Sequence, residues 1–333
     1  MAYRAKLAAR VTGAPLIGLD WGTTSLRAYR FETTGEVAAS RQLPAGIMQL
    51  ATEGGAIAGF ERALDDACGD WITVGATAVI ACGMVGSAQG WREAAYLDVP
   101  TGLDDLGHAL TQVELRSGGR IHGTLHIVPG LIQRAPLPNV MRGEETQIVG
   151  VLERAQPMTQ RDTDMLIGLP GTHSKWARVR DRAIVHFHTF MTGEVFAALC
   201  AHTLLGRTMR RPASPDLTAF DRGVEIARSP AGRAGVLSTM FSARTLGLVG
   251  ALAAEAQADY LSGLLVGHEL AALAQLGEPP GAIVLAGSDE LCQRYQRALA
   301  AFGHAAAIAP GVTERGLWRV ARSAGLVPEP RAG

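Results

Sequence analysis

Apolar and polar positions fall into short alternating blocks along this chain. Leu16-Ile17-Gly18-Leu19 is a compact apolar run that stops at Asp20; after Gly22-Thr23-Thr24-Ser25, residues 26–31 alternate between apolar and polar side chains. A run, a small-residue turn and an alternating run predict a strand–turn–strand hairpin. Within Gly54 to Cys68, Ile57, Phe60, Ala63 and Leu64 recur at helical spacing, and Thr77 to Cys82 is a buried-strand pattern ending at Gly83. Leu125 to Val128 repeats the strand and stops at Pro129-Gly130. Glu144 to Leu152 opens with acids, as a helix N-terminus prefers, and continues with helical periodicity. The first half therefore alternates β and α. The second half opens as the first does: Asp164 to Leu169 predicts a strand, residues 170–175 (Pro-Gly-Thr-His-Ser-Lys) a turn, and Trp176 to Val179 a second strand. From Glu194 to Leu276 the pattern is mainly helical, broken at residues 210–215 and 229–232. Ile283 to Ala286 is a last buried strand, followed by helices over Glu290 to Ala300 and Glu314 to Ala324.

Composition narrows the function classes. The chain has 333 residues, with 31 Lys and Arg against 31 Asp and Glu, so it lacks the basic excess that neutralises a nucleic-acid backbone. Its four cysteines are scattered without a Cys-x-x-Cys pair, which argues against a zinc site or a disulfide framework and for a reducing cytoplasm. No apolar run approaches the roughly 20 residues that cross a bilayer. Residues 1–15, with Arg4, Lys6 and Arg10 but no apolar stretch, read as a flexible tail; the remainder reads as two lobes, 16–150 and 151–330, each long enough for its own core.

Three turns carry candidate chemistry. In the first, Asp20 at the end of a buried strand is placed to hold a divalent ion through water. Gly22 permits close backbone approach to an anion, and Thr23, Thr24 and Ser25 offer amides and hydroxyls to phosphate oxygens. An ordinary hairpin turn is the alternative. The second, with Gly171, Thr172, His173, Ser174 and Lys175, repeats that chemistry and adds a cation; His173 either touches phosphate or caps the turn. In the third, Gly287-Ser288 after a strand lets a flat purine lie against the backbone. His186 and His188 share a strand face without a third ligand nearby, Arg207, Arg210 and Arg211 are followed by acids and read as a solvated face, and no Gly-x-Ser-x-Gly elbow occurs.

Two phosphate turns and a late Gly-Ser turn, in this order, resemble the two-lobe α/β, ribonuclease-H-like fold of actin-like ATPases and sugar kinases. The segments GMVGSAQGWREAAYLDVP (83–100), MRGEETQIVG (141–150), LPGTHSKW (169–176), FMTGEVFAAL (190–199) and VLAGSDELCQRYQRAL (284–299) are similar to the 2-dehydro-3-deoxygalactonokinase family, over about residues 16–326. That resemblance implies transfer of the γ-phosphoryl of ATP to the terminal hydroxyl of 2-dehydro-3-deoxy-D-galactonate, with Mg²⁺ organised by Asp20. In related kinases an acid just ahead of the helix closing the first lobe serves as base, which points to Glu144 or Glu145, with Glu194 a third candidate; acids that only satisfy the helix dipole are the alternative. A carboxylate substrate implies a fixed arginine, Arg142 first and Arg27 second. Ser87, Gln89, Trp91 and Glu93 are candidates for the sugar hydroxyls, with a surface-loop role as the alternative for each. The expected partner is a small sugar acid, with no nucleic acid and no membrane, and a homodimer is a candidate assembly. Two rivals stand beside this reading: a phosphohydrolase of the same superfold, and a nucleotide-driven clamp.

Overall fold

In the computed structural model, residues 16–50, 56–72, 77–116, 122–154, 164–277 and 281–327 are described. The expected tail, residues 1–15, lies outside them. Strand β1 (Leu16–Trp21) is buried at all but Asp20, as a strand covered on both faces must be. It pairs antiparallel with β2 (Leu26–Phe31), setting Asp20 opposite Arg27, and β2 pairs with β3 (Val37–Leu43). Helix α1 (Ala56–Cys68) leads to β4 (Ala78–Gly83), which runs parallel to β1 with Cys82 beside Asp20 and Gly83 beside Trp21. The short strands β5 (Tyr96–Asp98) and β6 (Thr101–Gly102) precede helix α2 (Leu103–His108) and the antiparallel pair β7 (Thr111–Arg116) and β8 (His122–Ile127). This sheet has the order β3-β2-β1-β4-β8-β7. Strands β9 (Gly130–Gln133) and β10 (Asn139–Met141) form a second, three-stranded sheet with β5, and helix α3 (Glu144–Arg154) follows directly.

The first pattern then recurs. Strands β11 (Asp164–Leu169), β12 (Ser174–Arg180) and β13 (Ala183–Phe190) are followed by helices α4 (Thr192–His202), α5 (Leu217–Arg228), α6 (Val236–Thr239), α7 (Ser242–Leu248) and α8 (Gln257–Gln275). After them come β14 (Ala282–Leu285), α9 (Asp289–Ala301), β15 (Ala306–Ile308) and the closing helix α10 (Val312–Ser323). β14 lies parallel to β11, and β15 parallel to β14. The order β13-β12-β11-β14-β15 reproduces β3-β2-β1-β4-β8, strand for strand. This duplicated arrangement is the ribonuclease-H-like fold, and it accounts for the echo between residues 16–31 and 164–179.

The chain packs as two units. Among the described residues, the first takes those before Asp164, the hairpin tip Val179–His186 and those from Gly311 onward, while the second takes Asp164–Arg178 and Phe187–Pro310. The closing helix thus returns to the first unit. A Cβ on Gly150 would lie 1.7 Å from the Val312 carbonyl oxygen, so α3 and α10 meet backbone to backbone. The first core gathers Trp21, Phe60, Leu64 and Leu125, with Trp91 packed against it; the second gathers Trp176, Phe220, Leu285 and Tyr295. All four cysteines are free. Among the described residues no helix is long and apolar enough to cross a membrane, and no group of three His, Cys, Asp or Glu side chains could hold a metal ion.

Candidate active site

The first phosphate turn is tight and supported from behind. Gly22 N–H donates to the Ser25 carbonyl at 2.9 Å, and the amides of Ile47 and Met48 donate to the carbonyls of Gly22 and Thr23 at 3.1 and 3.2 Å. Thr23 and Thr24 are exposed, so the turn presents small polar residues on a fixed backbone. At its base, Asp20 Oδ2 lies 3.3 Å from Arg27 Nη1. Burial raises the Asp20 carboxyl above the usual range although Arg27 opposes the shift. One carboxylate beside the expected phosphate turn, without a cluster of further ligands among the described residues, is a donor set compatible with Mg²⁺, which is usually held by one or two carboxylates, water and the substrate's phosphates.

Two glycines bring the acid pair to the end of β1. β4 ends at Gly83 with φ 92°, where a Cβ would lie 2.8 Å from the Trp21 carbonyl oxygen. Gly143 has φ 110°, and a Cβ on it would lie 3.2 Å from Gly83 Cα, so the start of α3 passes directly over the end of β4. Glu145 and Asp20 consequently act on the same buried thiol, Cys82, which burial and both acids push up.

The two acids differ sharply. Glu145 is fully buried; its Oε2 accepts from Gly143 N–H at 2.6 Å and its Oε1 from the Thr146 hydroxyl at 3.0 Å. Burial, followed by the charge of Glu144, pushes its carboxyl up to about 7. Glu144 is only half-buried, and its Oε2 accepts the Arg142 N–H at 3.0 Å. Of the two expected bases only Glu144 is accessible to a substrate hydroxyl. The two neighbouring carboxyls therefore sit in unlike surroundings, one buried and raised, the other partly exposed.

Arg142 is 8 % exposed. Its guanidinium carbon lies 4.2 Å from the centroid of the Tyr96 ring, and Nη2 donates to the Ala94 carbonyl at 2.8 Å. Its Nε and Nη1 are buried without a hydrogen-bond partner, and the Ser87 hydroxyl is in the same condition. A Cβ on Gly86 would lie 3.0 Å from Nη1, which places that nitrogen against the turn carrying Ser87. Buried donors without a partner carry an energetic penalty, which marks this corner as polar and under-satisfied.

In the second unit the other two turns come together. A Cβ on Gly287 would lie 3.2 Å from the Pro170 carbonyl oxygen, and one on Gly193 would lie 2.4 Å from that of Gly171. Ser288 is the N-cap residue of α9, and Glu194 N–H donates to the Thr172 carbonyl at 3.0 Å. A cavity of about 200 Å³, lined by Gly171, Thr192, Gly193, Phe196, Leu291 and Tyr295 among others, opens beside these turns. The ion pair of Arg294 with Asp259, at 2.7 Å and nearly buried, also lines it.

Several expected residues have other occupations. Lys175 is buried in β12, and its Nζ donates to the Thr189 hydroxyl of the neighbouring strand at 2.8 Å. Trp91 stacks on Phe60 with ring centroids 5.6 Å apart and meets Trp21 edge-on, so part of its ring is taken up by the core. Arg27 is engaged by Asp20 and by Gln42, and Glu93 is exposed. Glu194 hydrogen-bonds His173 beside the second turn, in the other unit from Glu144. Sequence reasoning missed Tyr96, although it lies inside the family-like segment 83–100. It also missed Glu269, a lone acid in an otherwise apolar helical stretch.

Comparison with known proteins identifies the family to which the chain is similar. Residues 20–320 match the family described as 2-keto-3-deoxy-galactonokinase. The chain is 35% identical over 292 residues to the 2-dehydro-3-deoxygalactonokinase of Escherichia coli (strain K12), covering 87% of this chain and 91% of that one. It is 36% identical over 294 residues to a probable 2-dehydro-3-deoxygalactonokinase, DgoK1, of Rhizobium meliloti (strain 1021), covering 86% and 89%. A crystal structure from Sinorhizobium meliloti, described as that of a 2-dehydro-3-deoxygalactonokinase protein, superposes with a TM-score of 0.79 at 31% identity, over 92% of this chain and 98% of that one.

Proposed function

The chain belongs to the 2-keto-3-deoxy-galactonokinase family, and from that premise we infer that it transfers the γ-phosphoryl group of ATP to the terminal hydroxyl of 2-dehydro-3-deoxy-D-galactonate, in galactonate degradation. The observation that carries the substrate assignment is Arg142, a nearly buried guanidinium with two donors that lack a hydrogen-bond partner, placed two residues from the more exposed acid Glu144. A sugar acid supplies a carboxylate for the first and a hydroxyl for the second. In this reading the planar fork of Arg142, held on Tyr96, takes the carboxylate, and the Ser87 hydroxyl serves the sugar.

The acceptor oxygen attacks the γ-phosphorus. A new P–O bond forms, the bond to the β-phosphate bridging oxygen breaks, and ADP leaves with the electron pair. Glu144 takes the hydroxyl proton, while Glu145, by accepting the Gly143 N–H, fixes the turn from which Glu144 projects. The turn Gly22 to Ser25 receives phosphate oxygens on its backbone and hydroxyls, and Asp20 would hold Mg²⁺, whose charge offsets that of the phosphates. Gly171, Thr172 and His173 form the second phosphate turn, and Gly287-Ser288 with the neighbouring cavity takes the adenosine. Four free thiols support a reducing cytoplasm as its compartment.

The test is ADP release with Mg·ATP, with and without the keto-deoxy acid. Release that requires the acid, with a phosphorylated acid as product, is the expected result; release without any acceptor would favour the phosphohydrolase instead.

A further inference from the structure

Glu269, near the middle of α8, is 3 % exposed. The Trp176 indole N–H donates to its Oε1 at 2.7 Å, and the Tyr295 hydroxyl donates to its Oε2 at 2.8 Å. The Thr192 hydroxyl makes a further, short bond to Oε2. Tyr295 Oη also lies 2.9 Å from Ser174 Oγ, which joins Ser174 to the same network. One carboxylate thus collects β12, α4 and α9.

Those partners flank the second phosphate turn. Ser174 follows His173 directly, and Thr192 opens the helix whose Gly193 fits against Gly171 and whose Glu194 amide bonds Thr172. Thr192 and Tyr295 line the 200 Å³ cavity; Glu269 does not. Packing alone gives no reason for an acid here, since apolar side chains of similar volume generally fill a core at equal or lower cost than a buried charge. A fully satisfied polar hub instead fixes one geometry among its partners.

We propose that Glu269 is a positioning residue for the nucleotide: it touches no ligand, but it holds Ser174, Thr192 and Tyr295 so that the turn 170–173 and the cavity beside it keep the shape that ATP requires. The proposal rests on the reading that this turn and cavity bind ATP. ADP affinity measured calorimetrically, together with KM for both substrates, tests it in Glu269→Gln and Tyr295→Phe. In each variant, ADP affinity weakens and KM for ATP rises by about five- to tenfold, the effect of losing one or two buried hydrogen bonds. KM for the sugar acid stays within about twofold, a split that a general loss of folded protein does not produce. Glu269→Leu, which keeps bulk but no acceptor, is affected more than Glu269→Gln. Tyr295→Phe retains the ring in the core and decides the matter if Glu269→Gln does not fold. Folded variants that bind ADP as the wild type does would overturn the proposal, reducing the network to core packing. Wild-type protein that binds no ADP would overturn the nucleotide reading, and the positioning role with it.

Discussion

Glu144 and Arg142 are joined directly: Oε2 of the acid accepts the backbone N–H of the arginine at 3.0 Å. The group proposed to take the proton and the group proposed to hold the carboxylate therefore share one turn, and their separation is set by Gly143 between them.

Removing the anchor should act on one substrate. Arg142→Ala raises KM for the keto-deoxy acid by about tenfold to a hundredfold, the weight of a charge-assisted hydrogen-bond pair, and leaves KM for ATP nearly unchanged. Steady-state kinetics with each substrate varied in turn checks this. An unchanged KM for the acid would place its carboxylate elsewhere.

Asp20→Asn should abolish Mg²⁺-dependent turnover without unfolding the chain. Burial already disfavours the Asp20 charge, so its loss does not weaken the fold. Turnover measured against Mg²⁺ concentration, beside a thermal melt, separates the two effects. Undiminished turnover in a folded variant would remove Asp20 from the mechanism.

Glu145 should leave a signature in stability against pH. Its folded-state pKa is raised from 4.5 to about 7, so between those values the folded protein binds the proton that the unfolded chain releases. Stability therefore falls as pH rises through that window, by up to about 1.4 kcal/mol per pH unit from this group. Glu145→Gln, which keeps an acceptor for Gly143 N–H, removes that slope. Chemical denaturation of both proteins at pH 5, 6 and 7 measures it, and identical slopes would show that Glu145 does not hold its proton.

Trp91→Ala distinguishes core from sugar contact. With its ring packed against both Phe60 and Trp21, truncation costs about 2–4 kcal/mol of stability and leaves KM for the acid nearly unchanged in the fraction that remains folded. A large rise in KM with little change in melting temperature would return Trp91 to the substrate.

Strands and turns were legible because they depend on local pattern: residues 164–169 and 26–31 form strands at the residues where their alternation and stops place them. The three turns were legible because glycine and small hydroxyl residues have few other uses in such positions. Side-chain direction was harder to read. Lys175 looks like a phosphate ligand in sequence, yet its ammonium is bonded to Thr189 on the neighbouring strand, a partner no local pattern reports. Trp91 lies in a family-like segment, yet aromatic packing claims it. Tyr96 and Glu269 gained their positions only through partners 46 and 93 residues away, Arg142 and Trp176, and no local pattern reports such pairs. The choice between Glu144 and Glu145 likewise needed burial, which adjacent identical residues do not reveal.

The central claim, that an accessible Glu144 supported by a buried Glu145 takes the proton of a sugar acid, is tested most directly by kcat and KM of Glu144→Gln and Glu145→Gln side by side. The account predicts that Glu144→Gln lowers kcat by about 10²- to 10⁴-fold with both KM values nearly unchanged, and that Glu145→Gln loses far less. A Glu144→Gln enzyme with near wild-type kcat, or the full loss falling on Glu145→Gln, would contradict it.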